Sequence, residues 1–252
     1  MRLIWHGTAS IEAVCEKGKI LFDPFVPLKG SDVDVKLQDF DGFSHIFVTH
    51  GHIDHITDLP KIVRRNPDVV IHCTGTPFRT LVKKGVPIRN LAILRYGDVM
   101  LVNGFTIRAL HGKHAILPGV DAKMIAGWVK SAARGNMPYI LYQFLTCPEN
   151  DETVFYQIEA DGKTVCLMGS MNLRDEVSYP EGADLLVLPY NGWADNFPPA
   201  VRAIERLKPK RVLLDHYDNT FPPLTTELDL SPILEKYPGK VEPMELRQTY
   251  EV

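Results

Sequence analysis

The sequence predicts an α/β fold arranged as a layered sandwich, two mixed β-sheets packed face to face with helices on the outside. Three observations carry this prediction. Short apolar runs of strand length are punctuated by Gly, Pro, Asn-Gly and Asp-Gly. A strand-rich stretch gives way to a strand–helix stretch, and the pattern occurs twice. The 252 residues are 45% hydrophobic, enough for a full core.

In chain order, Leu3, Ile4 and Trp5 open a strand, and Ser10 to Cys15 form a second that turns at Lys17-Gly18 into Ile20-Leu21-Phe22. An Asp-rich loop from Lys29 to Asp41 leads to the short buried strand Ile46-Phe47-Val48. Thr57 is the expected N-cap of a helix carrying Leu59, Ile62 and Val63, with Pro60 tolerated in its first turn. Val69 to Ile71 reads as a strand, and Thr76 to Lys84 as a helix stopped by Gly85 and Pro87. Two hairpins follow the two-residue turn rule, one across Asn103-Gly104 and one across Asp161-Gly162, with Tyr139 to Leu145 as an expected neighbouring strand. The remainder reads as strand Leu185 to Leu188, helix Pro198 to Leu207, strand Val212 to Leu214, a helix from Thr226 to Lys236 and a last strand near Val241. The segment 115–138 stands between strands as an insertion, with Met124, Ile125, Trp128 and Val129 on one side of a helix, a length that points to a functional or interfacial role.

Composition narrows the function classes. With 28 Lys and Arg against 31 Asp and Glu, the net charge of −3 lacks the basic excess of a nucleic-acid footprint. No run of about 20 apolar residues is present, and the charged first twenty residues lack a secretory core, so a cytoplasmic protein without membrane contact is expected. Cys15, Cys73, Cys147 and Cys166 form no CxxC pair and read as reduced core thiols. At about 150 residues per domain the length allows one or two domains. The expectation is one domain over 1–252, because the candidate ligands span both halves.

Histidine carries the chemistry. Thr49-His50-Gly51-His52-Ile53-Asp54-His55 is an HxHxDH pattern behind an apolar strand. Alternation in extended chain puts His50 and His52 on one side, where they can share a cation, while Asp54 and His55 turn toward a second position. Imidazole-rich sites favour zinc, with manganese or iron as alternatives.

This motif resembles that of the metallo-β-lactamase superfamily, whose HxHxDH signature closes a strand in a four-layer αβ/βα sandwich. Trp5-His6-Gly7-Thr8-Ala9-Ser10 and Ile20-Leu21-Phe22-Asp23-Pro24 look like the opening of the branch that includes L-ascorbate-6-phosphate lactonase, although that branch usually has histidine where Thr8 stands. Ala183 to Pro189 and Arg211 to Tyr217 resemble its late strands, the second carrying the last histidine ligand, His216. The resemblance places the third histidine at His114, with His111 as the competing residue. It implies one or two divalent ions held by His50, His52 and His114 and by Asp54, His55 and His216. It also implies metal-bound hydroxide as the nucleophile, with Asp54 orienting it or moving its proton. At the usual bridging aspartate this chain has Ser170, which cannot offset two cations. Either one ion is held tightly and a second weakly, or Asp175 or Asp215 replaces the missing carboxylate.

The expected substrate is a small, anionic ester, lactone or phosphodiester, with Asn191 and Trp193 as candidate contacts and Lys113 and Lys123 near the mouth. Two alternatives stand beside this reading: a metal- or ligand-binding member that has lost catalysis, and a nuclease of the same superfamily. Homo-oligomerisation is left open. His6, His45 and His72 read as structural, and Lys61, Arg64 and Arg65 as a solvated helix face.

Overall fold

The computed structural model describes residues 1–116, 119, 122–225 and 228–252. Strands β1 (Arg2–Trp5), β2 (Ile11–Cys15) and β3 (Gly18–Phe22) form an antiparallel meander, and β4 (His45–Phe47), β5 (Val70–Cys73) and β6 (Leu91–Ile93) continue it in parallel. The second sheet repeats the plan. Strands β7 (Val99–Val102), β8 (Phe105–His111), β9 (Val154–Ala160) and β10 (Lys163–Met168) are antiparallel, and β11 (Leu185–Pro189), β12 (Arg211–Asp215) and β13 (Val241–Pro243) are added in parallel. A last strand, β14 (Thr249–Glu251), crosses back to pair with β1, which makes each sheet seven-stranded.

Side-chain alternation sorts the strands into layers. On β11, Leu185 and Val187 enter the core between the sheets, while Leu186 and Leu188 face the outer helices. A strand buried on both faces must read as an unbroken apolar run, as this one does. Phe22, Phe47 and Tyr156 meet across the inter-sheet core with ring centroids 5.3–5.9 Å apart. Each buried Phe there contributes roughly 1.5–3 kcal/mol. The outer layer on the first sheet is α1 (Ile53–Ile56), α2 (Leu59–Arg65) and α3 (Gly75–Lys83); between β8 and β9 the chain forms α4 (Ala122–Lys130) and α5 (Met137–Thr146); the second sheet is covered by α6 (Phe197–Leu207) and α7 (Ser231–Lys236). The predicted four-layer αβ/βα sandwich is the observed architecture.

Both hairpin turns form as expected, with Asn103, Gly104, Asp161 and Gly162 all at positive φ, the conformation a two-residue turn requires. Three expectations are corrected. Tyr139–Leu145 is helix, not strand: Pro138 sits in the first turn of α5, and Met137, Ile140, Leu141 and Phe144 recur at helical spacing. A short apolar run does not by itself separate the two periods. Thr57 caps no N-terminus, since its Oγ1 donates to the Ile53 carbonyl at 2.6 Å and ends α1, while Asp58 precedes α2. The late helix begins at Ser231, and residues 226 and 227 of the expected span lie outside the described residues.

All four cysteines are buried and unbridged. His6 pairs with Glu12, and His45 with His72, as structural histidines. Lys61 pairs with Asp58 and Arg65 with Asp41 on the outer face of α2. No helix among the described residues is long and apolar enough to cross a membrane.

Candidate metal centre

The chain collects its histidines at one edge of the sandwich, beyond the C-terminal ends of β4, β8 and β12. His50 and His52 leave β4 in an extended stretch, and Asp54 and His55 follow on the single turn of α1. His114 comes three residues after β8, and His216 directly after β12. Two triads result, His50–His52–His114 and Asp54–His55–His216, each with one ligating atom per residue and all three atoms within 4.8 Å of one another. The triads touch: the His50 and His55 rings are 3.9 Å apart between centroids. His111 stays outside both, stacked on Tyr96 at 3.9 Å with its Nε2 3.1 Å from the Asp151 carbonyl.

The motif loop is pinned from several sides. Buried Asp23 accepts from the Thr49 amide at 2.8 Å and hydroxyl at 2.6 Å, and the same carboxylate lies 2.9 Å from His55 Nδ1. Tyr156 of the second sheet donates to the Val48 carbonyl at 2.7 Å, and the Val154 amide to Thr49 at 2.8 Å. Gly51 and Gly169 admit close backbone approach: a Cβ on Gly51 would lie 2.3 Å from the Pro148 carbonyl oxygen, and one on Gly169 2.5 Å from Thr49 Cβ. His216 is tied to the first loop by its amide, which donates to Thr8 at 2.9 Å, and the Thr8 amide donates to Asp218 at the same distance. Thr8, Asp23 and His216 all hold positive φ, a strained backbone gathered at this edge.

The family model for the β-lactamase superfamily domain matches residues 19–217. The chain belongs to the metallo-β-lactamase superfamily. It is similar to a UPF0173 metal-dependent hydrolase of Desulfitobacterium hafniense, 28% identical over 235 residues, covering 88% of this chain and 85% of that protein. Among solved structures it is similar in fold to Igni18, a metallo hydrolase from Ignicoccus hospitalis, at a TM-score of 0.63 and 21% identity over 100% of this chain and 98% of the other. The fold protein YhfI of Bacillus subtilis aligns with TM-score 0.67 and 16% identity, again over 100% and 98% of the two chains.

Within this superfamily member the two triads differ in charge. Burial, with crowding by His55, holds His50 well below the ordinary histidine value, and burial beside His114 takes His52 down to about 3. Burial also lowers His114. In the second triad burial is overcome: Asp54 and Asp23 raise His55, and Asp54, 2.9 Å from His216 Nε2, takes His216 up to about 9. Burial also opposes ionisation of Asp54, but His55 and His216 outweigh it and hold the carboxyl well below its usual range.

Ser170 lines the same cavity as both triads, and its Oγ accepts from the Ala115 amide at 3.0 Å, next to His114. Neither Asp175 nor Asp215 supplies the carboxylate it lacks. Asp175 is exposed and paired with Arg202, and Asp215 is buried outside the cavity lining, its carboxyl pushed up to about 7. Asn191 Nδ2 stands 3.5 Å from His216 Nδ1, and Trp193 lines the cavity with its indole N–H on the Met171 carbonyl at 2.8 Å. Lys113 is exposed and outside the lining, and the Lys123 and Met124 side chains fall outside the described residues. Sequence reasoning missed Asp23 as the partner of His55; the Asp23-Pro24 pair at a strand end was its only signal.

Proposed function

We propose that this metal-dependent hydrolase of the β-lactamase superfamily cleaves an ester, lactone or phosphodiester by attack of water activated at the two triads. The observation that carries the reading is the donor set itself: five imidazoles and one carboxylate converging in two adjacent groups at one end of a cavity. That set fits divalent cations, because the rings of the first triad are held neutral with lone pairs free, and crowded imidazoles without hydrogen-bond partners from one another are poor neighbours unless a cation draws on them. His50, His52 and His114 would hold one ion, and Asp54, His55 and His216 the other. The imidazole-rich composition favours zinc over manganese or iron. When bound, such an ion supplies Lewis acidity, lowering the pKa of a coordinated water toward about 7 and polarising the substrate oxygen.

The chain's own residues do the rest. Asp54 accepts the hydrogen bond of the attacking water and hands its proton on. The water oxygen bonds to the carbonyl carbon or phosphorus, the bond to the leaving oxygen breaks, and that oxygen takes the proton. Asp23 and Thr49 fix the His55 ring, and Asn191 stands beside His216. A cytoplasmic location and a small-molecule substrate belong to the same reading.

A binding protein without turnover is the second reading, favoured by Ser170, whose hydroxyl is engaged by the Ala115 amide. Screening aryl esters, lactones and aryl phosphodiesters with metal-loaded protein separates the two. Hydrolysis that falls by about 10²–10⁴-fold in Asp54→Asn supports the first reading. Hydrolysis that survives both Asp54→Asn and His52→Ala does not come from this site.

A further inference from the structure

The cavity that contains both triads, about 560 Å³, is walled on its other side by the segment between β8 and β9. Helix α5 turns Met137, Ile140, Leu141 and Phe144 into the cavity, an i, i+3, i+4, i+7 stripe, and α4 adds Ile125 and Trp128 at i, i+3. Among the described residues the lining holds no Lys or Arg. Its ionisable groups are the histidines and Asp54. The stripe is continuous with the metal centre, since the Phe144 ring lies 6.3 Å from that of His52. Ile125, Leu141 and Phe144 are nevertheless 50%, 55% and 39% exposed. Apolar side chains that line a cavity and stay in contact with water gain when a ligand covers them.

We propose that the substrate is amphipathic, with an apolar alkyl or aromatic body attached next to the scissile group and seated against the α4–α5 stripe. The inference rests on the hydrolase reading for the scissile group, and departs from the expectation of a small anionic substrate: among the described residues no Lys or Arg lines the cavity, so negative charge on the substrate is confined to the head beside the triads. The apolar body is selected by the inserted helices, which places specificity on a segment separate from the residues that carry the chemistry.

Two series on the metal-loaded protein test this. In hydrolysis of straight-chain 4-nitrophenyl alkanoates, kcat/KM is expected to rise about fourfold per added methylene until the cavity is filled. Binding of straight-chain alkylhydroxamates, followed by the fluorescence of Trp128 and Trp193, is expected to tighten by a similar factor without any need for turnover. Phe144→Ala and Trp128→Ala should flatten both dependences, while Leu101→Ala, on an exposed sheet edge, should leave them unchanged. A phenylalkyl series distinguishes an aromatic body from an alkyl one by the steeper slope. Hydroxamates that tighten with length, with no ester, lactone or phosphodiester cleaved, would support the apolar seat on the α4–α5 stripe and defeat the hydrolytic reading on which the scissile group rests. Binding and cleavage both indifferent to chain length, or slopes unaltered in the Phe144 and Trp128 variants, would overturn the proposal.

Discussion

The two triads are both built mainly from histidine yet differ in what stands behind those rings. His50, His52 and His114 have no carboxylate behind them; Thr49 and the Ala115 carbonyl meet the Nδ1 atoms of His50 and His114, and burial keeps all three rings below the ordinary histidine value, leaving Nε2 lone pairs to donate. His55 and His216 are backed by carboxylates, Asp23 and Asp54, which raise both rings above the ordinary histidine value and take His216 up to about 9. The difference teaches that histidine spacing alone does not define a metal site. A ring's readiness is set by its neighbour, and a carboxylate behind it orients the ring while making the metal-free form compete through protonation.

Asp23→Asn removes that backing from one triad only. The metal affinity of the second triad should fall about 10–100-fold, with the first unchanged, in titrations of chelator-treated protein. Equal losses at both would erase the distinction.

Acidity sharpens it further. His216 in the metal-free protein has its value raised to about 9. It therefore contributes stability that is fully present below its unfolded value of about 6.5 and is lost as pH rises through about 9. Melting temperatures of stripped protein should fall across that window. Metal binding runs the other way: affinity at the second triad should climb about tenfold per pH unit for each proton displaced, while the first, already neutral, stays level. A common pH slope would contradict the assignment.

The smallest effect is expected at Ser170. Ser170→Asp adds a carboxylate to the cavity and should raise occupancy of the weaker ion, read as metal per chain, while costing some stability through loss of the Ala115 contact. Unchanged stoichiometry would mean that the side chain at this position does not reach the ions.

Much of this centre was legible in the sequence because its parts are local. HxHxDH is contiguous, and the hairpins declare themselves by Asn103-Gly104 and Asp161-Gly162. The αβ/βα layering follows from apolar runs such as Leu185–Leu188, whose alternate residues must be buried on both faces. What escaped was non-local. Asp23 acts on His55 across 32 positions, through a contact that only the pairing of β3 with β4 creates. Tyr139–Leu145 has strand-like composition, but with Pro138 in its first turn it forms a helix that docks beside α1, next to the two triads. The choice of His114 over His111 came from the resemblance, and at the end of β8 the His111 ring turns onto Tyr96 while His114 joins the cluster.

Metal content reads the centre most directly. Protein purified without chelator, or reloaded with zinc or manganese, is expected to carry between one and two ions per chain by elemental analysis and to melt at a higher temperature than the stripped form. Paired substitution of His52 and His216 by Ala should remove both ions. Metal content near zero in the wild type, with no gain in melting temperature on adding either metal, would contradict a metal centre at these six residues.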